Sequence, residues 1–243
     1  MERNVRKILI VDTALNGCGV ALYDGVEDRL IFDAFEAVAR GQSERLVPMI
    51  EAQLSGAGLS YSDIDLVCGI TGPGSFAGIR VGLSVVRSLA LSMNMQAVGV
   101  SSVDAVMLEA MAGEDRKLVV DGHPLYVILE SKRSDYYVER YVYDGSTSEI
   151  VGTITGCVEC DDLMGMIGAE VKQPILRGDG VSRYLDDKAI VFNRLDLLCV
   201  GRHVLGCVAG GERGCVSQAS PTYFRGADVS KSKKKYRMVE KLL

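Results

Sequence analysis

The chain has 243 residues, a formal net charge of -5, 48% hydrophobic residues and 24% charged ones. Those values fit a globular protein with room for one large domain or two lobes, and they argue against disorder and against nonspecific nucleic-acid binding by the whole surface. No stretch approaches the roughly 20 apolar residues of a membrane span, and the run at 8–11 is too short for a signal-peptide core, so a cytoplasmic protein is expected.

In chain order, residues 7–11 form a short apolar strand that ends at Asp12. A turn at Asn16-Gly17, a strand over 18–23, a hairpin turn at Asp24-Gly25 and a strand over 30–37 complete an antiparallel meander. Residues 42–57 then place Leu46, Val47, Ile50, Leu54 and Ala57 at helical spacing, with Pro48 predicting a kink or a late start. A strand at 64–70, a helix at 75–93 and a strand at 96–100 follow, giving the order βββαβαβ. The second half partly repeats it: strands at 125–130, 136–143 and 150–154, a helix at 161–169, a short strand at 175–176 and a helix at 196–209. Two related α/β lobes are expected, 1–101 and 102–230, followed by a tail at 231–243. That tail carries six basic residues against Glu240, a local +5 that leaves about -10 on the body. It reads either as a solvated terminus or as a local phosphate contact.

The helix over 75–93 is apolar nearly all round. Phe76, Ile79, Leu83, Val86 and Ala90 cover one side, Ala77, Val81, Val85 and Leu89 much of another, and only Arg80, Ser84 and Arg87 make a polar stripe. A surface helix shows a polar half, so this one is covered on more than one side, by its own chain or by a partner. Gly78 and Gly82 each cost about 1 kcal/mol relative to alanine inside a helix, which close approach of another backbone would offset.

Gly72-Pro73-Gly74-Ser75 leads into that helix. Free N–H groups at a helix start attract anions, glycine admits a phosphate, and Ser75 can cap. No Walker lysine follows, so the nucleotide signal is weak. Asp12 and Thr13, closing the first strand, are a second candidate beside a phosphate, although Asp at a strand end is also ordinary turn chemistry.

Seven cysteines are an odd count and a poor disulfide framework, and the Cys157/Cys160 pair lacks the second pair a zinc site wants. His123 and His203 stand 80 residues apart, so no HxxxH or HExxH metal motif exists, a peptidase reading has nothing to rest on, and no catalytic residue or metal ligand is assigned.

Five segments, ILIVDTALNGCGVALYD, GQSERLVPMIEAQLSGAGLSYSDID, GITGPGSFAGIRVGLSVVRSLAL, AVGVSSVDA and PTYFRGAD, resemble the TsaB family. The likeness is close over 7–105, weak through the middle, and resumes at 221–228. It implies an ASKHA-type (actin-like, ribonuclease H-like) fold of two duplicated lobes. It also implies a noncatalytic subunit required for threonylcarbamoyladenosine on tRNA, which activates the transferase TsaD as a heterodimer and pairs with itself when alone. By the same resemblance, ATP hydrolysis belongs to a TsaE-like ATPase, tRNA is reached indirectly through the complex, and the chain has no cofactor of its own, ATP or ADP belonging at the complex interface. The partner-binding residues it implies, on the two first-lobe helices, are Leu46, Val47, Ile50, Gly78, Val81, Gly82, Val85 and Leu89. Asp12, Thr13, Gly72, Gly74 and Ser75 would be a vestigial nucleotide site. Gln42-Ser43-Glu44 replaces the family's His-Ser-Arg, Glu130-Ser131-Lys132-Arg133 stands for an Asp-Ala-Arg stretch, and Ala77 and Ala14 lack hydroxyls usual in the family. The rival is an autonomous ASKHA phosphotransferase using Asp12 and the Gly72–Gly74 loop.

Overall fold

A computed structural model describes residues 5–189, 192, 194–210 and 216–224. The basic tail and the last four residues of PTYFRGAD lie outside them.

The meander forms as read from the sequence, its strands separated by residues 13–16 and 25–28. Strands β1 (Lys7–Asp12), β2 (Gly17–Asp24) and β3 (Arg29–Ala37) pair antiparallel, with Ile8 opposite Tyr23 and Val11 opposite Val20. Helix α1 (Gln42–Gly56) starts at the first periodic residue and carries Pro48 within it. Strand β4 (Leu66–Ile70) returns parallel to β1, helix α2 (Phe76–Ser92) follows, and β5 (Gln96–Val100) lies parallel to β4.

Three short helices escape the periodicity: α3 (Ser102–Ala112), α4 (Asp115–Val120) and, later, α6 (Val181–Tyr184). The second sheet is built from β6 (Leu125–Glu130), β7 (Tyr136–Asp144), β8 (Glu149–Val158) and β9 (Ile175–Arg177) in the order β8-β7-β6-β9. Helix α5 (Cys160–Gly168) joins β8 to β9, which runs parallel to β6 as β4 runs parallel to β1. The duplicated βββαβ unit read from sequence is therefore present twice. Strand β8 runs to Val158, beyond its predicted end, because pairing with β7 continues across a register shift at Arg140/Tyr141.

The lobe boundary needs correction. Helix α7 (Leu197–Gly210) and strand β10 (Ser217–Gln218), assigned by sequence to the second lobe, join the first. α7 packs on β1, β2 and β3, with Gly201 against the Tyr23 ring and Arg202 paired to Asp28 at 2.8 Å. β10 pairs antiparallel with β5 at the sheet edge. Conversely α3, which follows the first lobe, packs on β6, β7 and β9. α3 thus packs where the 102–230 boundary puts it, and α7 with β10 crosses to the first lobe. The physical reason lies in β1: Ile8, Leu9, Ile10 and Val11 are all buried. A strand apolar on both faces needs two covers. α1 and α2 provide one, and among the described residues α7 provides the other. Cys207, on α7, is disulfide-bonded despite the odd cysteine count.

Candidate functional site

The residues singled out in the first lobe converge where β1, the loop 71–75 and the start of α2 meet. Ser75 caps α2 as predicted, its hydroxyl accepting from the Gly78 N–H at 3.2 Å. The Ser75 N–H donates to the Ala14 carbonyl at 2.7 Å, and the Ser102 N–H donates to the Gly72 carbonyl at 2.8 Å. Thr13 donates its hydroxyl to the Gly78 carbonyl at 2.7 Å. The loop is a joint that ties the β1–β2 turn, α2 and α3 together.

The glycines show what that joint excludes. Gly72 has φ +100, a backbone region that other residues rarely adopt. A Cβ at Gly74 would overlap the Ala14 carbonyl, and one at Gly78 the Thr13 carbonyl. A Cβ at Gly82 would meet the Thr13 hydroxyl. The close backbone approach expected at Gly78 and Gly82 is therefore made by this chain's own β1–β2 turn, which corrects their assignment to a partner. A phosphate at this helix start would need the space at Gly74 and the N–H groups of Ser75 and Gly78. Carbonyl oxygens and the Ser75 hydroxyl already occupy both, so the loop fits a phosphate poorly.

Asp12 is 5% exposed, and its Oδ1 accepts from the Ala14 N–H at 2.8 Å. Burial pushes its carboxyl up from 3.8 to about 6; the Ala14 and Leu15 N–H groups resist that rise, and the Asp179 charge across the lobes adds to it. Asp179 is also raised, chiefly by burial, while accepting from the Glu130 N–H at 2.8 Å. Sequence reading missed Asp179. The signal was Gly178-Asp179-Gly180 after β9, the counterpart of the glycine loop after β4. Gly178 holds φ +111 there, and a Cβ on it would overlap the Ile128 carbonyl. Glu130 accepts from Arg183 at 2.7 Å, and Arg183 also donates to the Arg133 and Asp135 carbonyls, so the Glu130–Arg133 stretch is organised by one guanidinium. The histidines lie apart: His123 contacts the Gln173 carbonyl at 2.8 Å, and His203 is on α7.

The predicted partner residues divide. Leu46 and Ile50 are fully buried under α1 and cannot face another chain, which corrects those two. Val47 is exposed, and Val81, Val85 and Leu89 are half-buried. Part of α2's missing cover comes from a segment no periodicity announced, residues 216–224. Arg87 holds it, donating to the Ala219 carbonyl at 2.6 Å and the Ser220 hydroxyl at 2.8 Å. The Thr222 N–H donates to the Thr71 carbonyl at 2.8 Å, and Tyr223 packs against Phe76. Two of the three residues in α2's polar stripe, Arg80 and Arg87, reach this strap.

A six-stranded and a four-stranded sheet, each built on the same βββαβ unit, define an ASKHA-type two-lobe protein. The family model described as TsaD, tRNA N6-adenosine threonylcarbamoyltransferase, matches residues 36–174, and the chain belongs to that family. The curated relatives it matches include TsaB proteins. The tRNA threonylcarbamoyladenosine biosynthesis protein TsaB of Escherichia coli (strain K12) is 36% identical over 97 residues, 40% of this chain and 41% of that protein. Less than half of that relative's length is thus spanned. TsaB of Buchnera aphidicola subsp. Schizaphis graminum (strain Sg) is 25% identical over 194 residues, 79% of this chain and 87% of the relative. The structure of YeaZ from Pseudomonas aeruginosa has the same fold, with a TM-score of 0.64 at 19% identity over 90% of this chain and 99% of that one. Among the described residues no helix is long and apolar enough to cross a membrane.

Proposed function

We propose that this chain is a noncatalytic subunit in tRNA threonylcarbamoyladenosine biosynthesis that binds and activates a TsaD-like threonylcarbamoyltransferase. The observation that carries the proposal is the face left on α1 and α2. Val47, Val81, Val85 and Leu89 remain accessible there, and α2 bears no carboxylate. A TsaD-like subunit, sharing the fold, would lay its equivalent helices on this face, and a second copy of this chain would use it in the partner's absence. The crowded start of α2 supports a chain without a cofactor of its own, with ATP or ADP at the interface of a cytoplasmic complex and its hydrolysis left to a TsaE-like ATPase.

The test is co-purification of the tagged chain with the TsaD-like enzyme of the same organism. Val47→Glu and Val85→Glu are expected to abolish the complex while the isolated chain keeps its circular dichroism and melting temperature. Unchanged affinity in both variants would refute the assignment. Gly82→Arg is unsuitable as a probe, because the side chain would enter the Thr13 hydroxyl within the fold. The second reading, an autonomous phosphotransferase, is favoured by one observation, the two buried carboxylates Asp12 and Asp179 set across the lobes. Calorimetric titration with ATP separates the two: binding with turnover by the isolated chain would overturn the subunit reading.

A further inference from the structure

The strap end and the start of α2 expose an aromatic and cationic surface that the proposed helix packing does not use. Phe76 is 49% exposed and Tyr223 is 45% exposed. Their rings lie 5.5 Å apart with a 36° tilt, and the Arg80 guanidinium sits 3.7 Å from the Phe76 centroid. Arg80 also donates to the Tyr223 hydroxyl at 3.1 Å, which fixes one group against the other. The contacts of Arg87 and Thr222 hold the strap beneath, so the arrangement is organised before any ligand arrives, and that lowers the entropy cost of binding.

Charge sets this patch apart from the rest of the molecule. Residues 71–103 and 216–224 contain no Asp or Glu, in a chain of net charge -5. Arg80 has no carboxylate partner among the described residues. The sequence after Phe224 opens with Arg225 and goes on to the stretch 231–243, which carries +5. Exposed aromatic rings, an arginine stacked on them and a neighbouring basic run are the chemistry that holds single-stranded nucleic acid: bases stack on the rings, and cations meet the phosphates. A phosphate backbone also suits an acid-free surface.

We propose that Phe76, Arg80 and Tyr223 form a stacking platform for an unpaired RNA base. The proposal deepens the subunit reading by giving this chain its own contact with the RNA, and it rests on that reading for the choice of RNA. The competing occupant is a protein, because tyrosine and arginine also dominate protein hot spots.

The test is fluorescence anisotropy of the full chain, alone and with the TsaD-like enzyme, using a 5′-fluorescein-labelled, unstructured 12-nucleotide RNA. Tyr223→Ala is expected to weaken binding about tenfold, the worth of one stacked base at roughly 1–3 kcal/mol. Tyr223→Phe keeps the ring and is expected to bind within about twofold of the parent, the small loss expected when only a hydroxyl is removed. Arg80→Gln, at an exposed position, gives an independent reading if Tyr223→Ala fails to fold, and is expected to weaken binding as well. Tyr223→Ala is expected to leave the slope of the salt dependence unchanged, because it removes a ring and no charge. Absence of RNA binding by the parent chain, or equal binding by Tyr223→Ala and Arg80→Gln, would overturn the proposal. So would loss of the TsaD-like partner with RNA binding intact, which would assign the patch to protein docking. RNA binding without any complex would refute the subunit reading and leave the platform standing.

Discussion

Asp12→Asn is expected to stabilise the protein at pH 8 and not at pH 4. The Asp12 carboxyl is buried at the end of β1, and its folded value of about 6 lies above the ordinary 3.8. A raised acid binds its proton more tightly in the fold than in the unfolded chain. Stability is therefore lost as pH rises from about 4 to about 6, and the full cost persists above that. At about 1.36 kcal/mol for each pH unit between the two values, the ionised carboxyl costs about 3 kcal/mol. Asparagine keeps an acceptor for the Ala14 N–H but gives up the charge-assisted contact with Leu15. With about 1 kcal/mol subtracted for that contact, the expected net gain at pH 8 is about 2 kcal/mol. Urea unfolding followed by circular dichroism at both pH values reads the difference directly. Equal stability of the two proteins at pH 8, or the same gain at pH 4, would show that burial of this carboxyl is not the cause.

Four further substitutions test the packing and the buried charge. Gly78→Ala is expected to lose about 1–3 kcal/mol in thermal unfolding despite alanine's better helix propensity, because the Thr13 carbonyl cannot yield. Gly56→Ala, with nothing within 4 Å of the new carbon, is expected to gain up to about 1 kcal/mol; a loss at Gly56 or a gain at Gly78 would contradict the packing. Glu139 lines a cavity of about 290 Å³ between the lobes, where burial first, then the Asp104 charge, pushes its carboxyl up to about 7. Glu139→Gln should therefore raise the melting temperature at pH 8.5 and leave it unchanged at pH 4, and a pH-independent shift would rule out ionisation as the cause. Arg87→Met removes two hydrogen bonds from the strap and is expected to speed amide exchange at Thr222 about tenfold, in line with roughly 1.5–3 kcal/mol for a charged donor. Unchanged exchange would mean that pairing of β10 with β5 holds the strap alone.

The sequence by itself determined whatever depends on neighbours close along the chain. The apolar runs of β1 and β2, the turn residues between them and the helical spacing of Leu46, Ile50 and Leu54 are local patterns, so the duplicated βββαβ units were legible. The Ser75 cap was legible for the same reason, since its partner lies three residues away. The family likeness was carried by such segments too. α4 escaped because six residues contain too few turns to show a period, and α3 because its apolar residues run nearly all round the helix and leave no polar face to mark one. Tertiary structure alone decided whose atoms fill the space at Gly78 and Gly82. Spacing says that a backbone approaches and cannot say that it is Thr13, 65 residues earlier. It likewise decided that Leu46 and Ile50 face inward while Val47 faces out, that the Asp179 charge bears on Asp12, and that α7 and β10 join the first lobe. Phe76 and Tyr223 stand 147 positions apart, and no local pattern links them; the strap joins them because Arg87 and Thr71 hold it against α2. A period records which face of an element is apolar, and only the folded chain shows which surface closes over it.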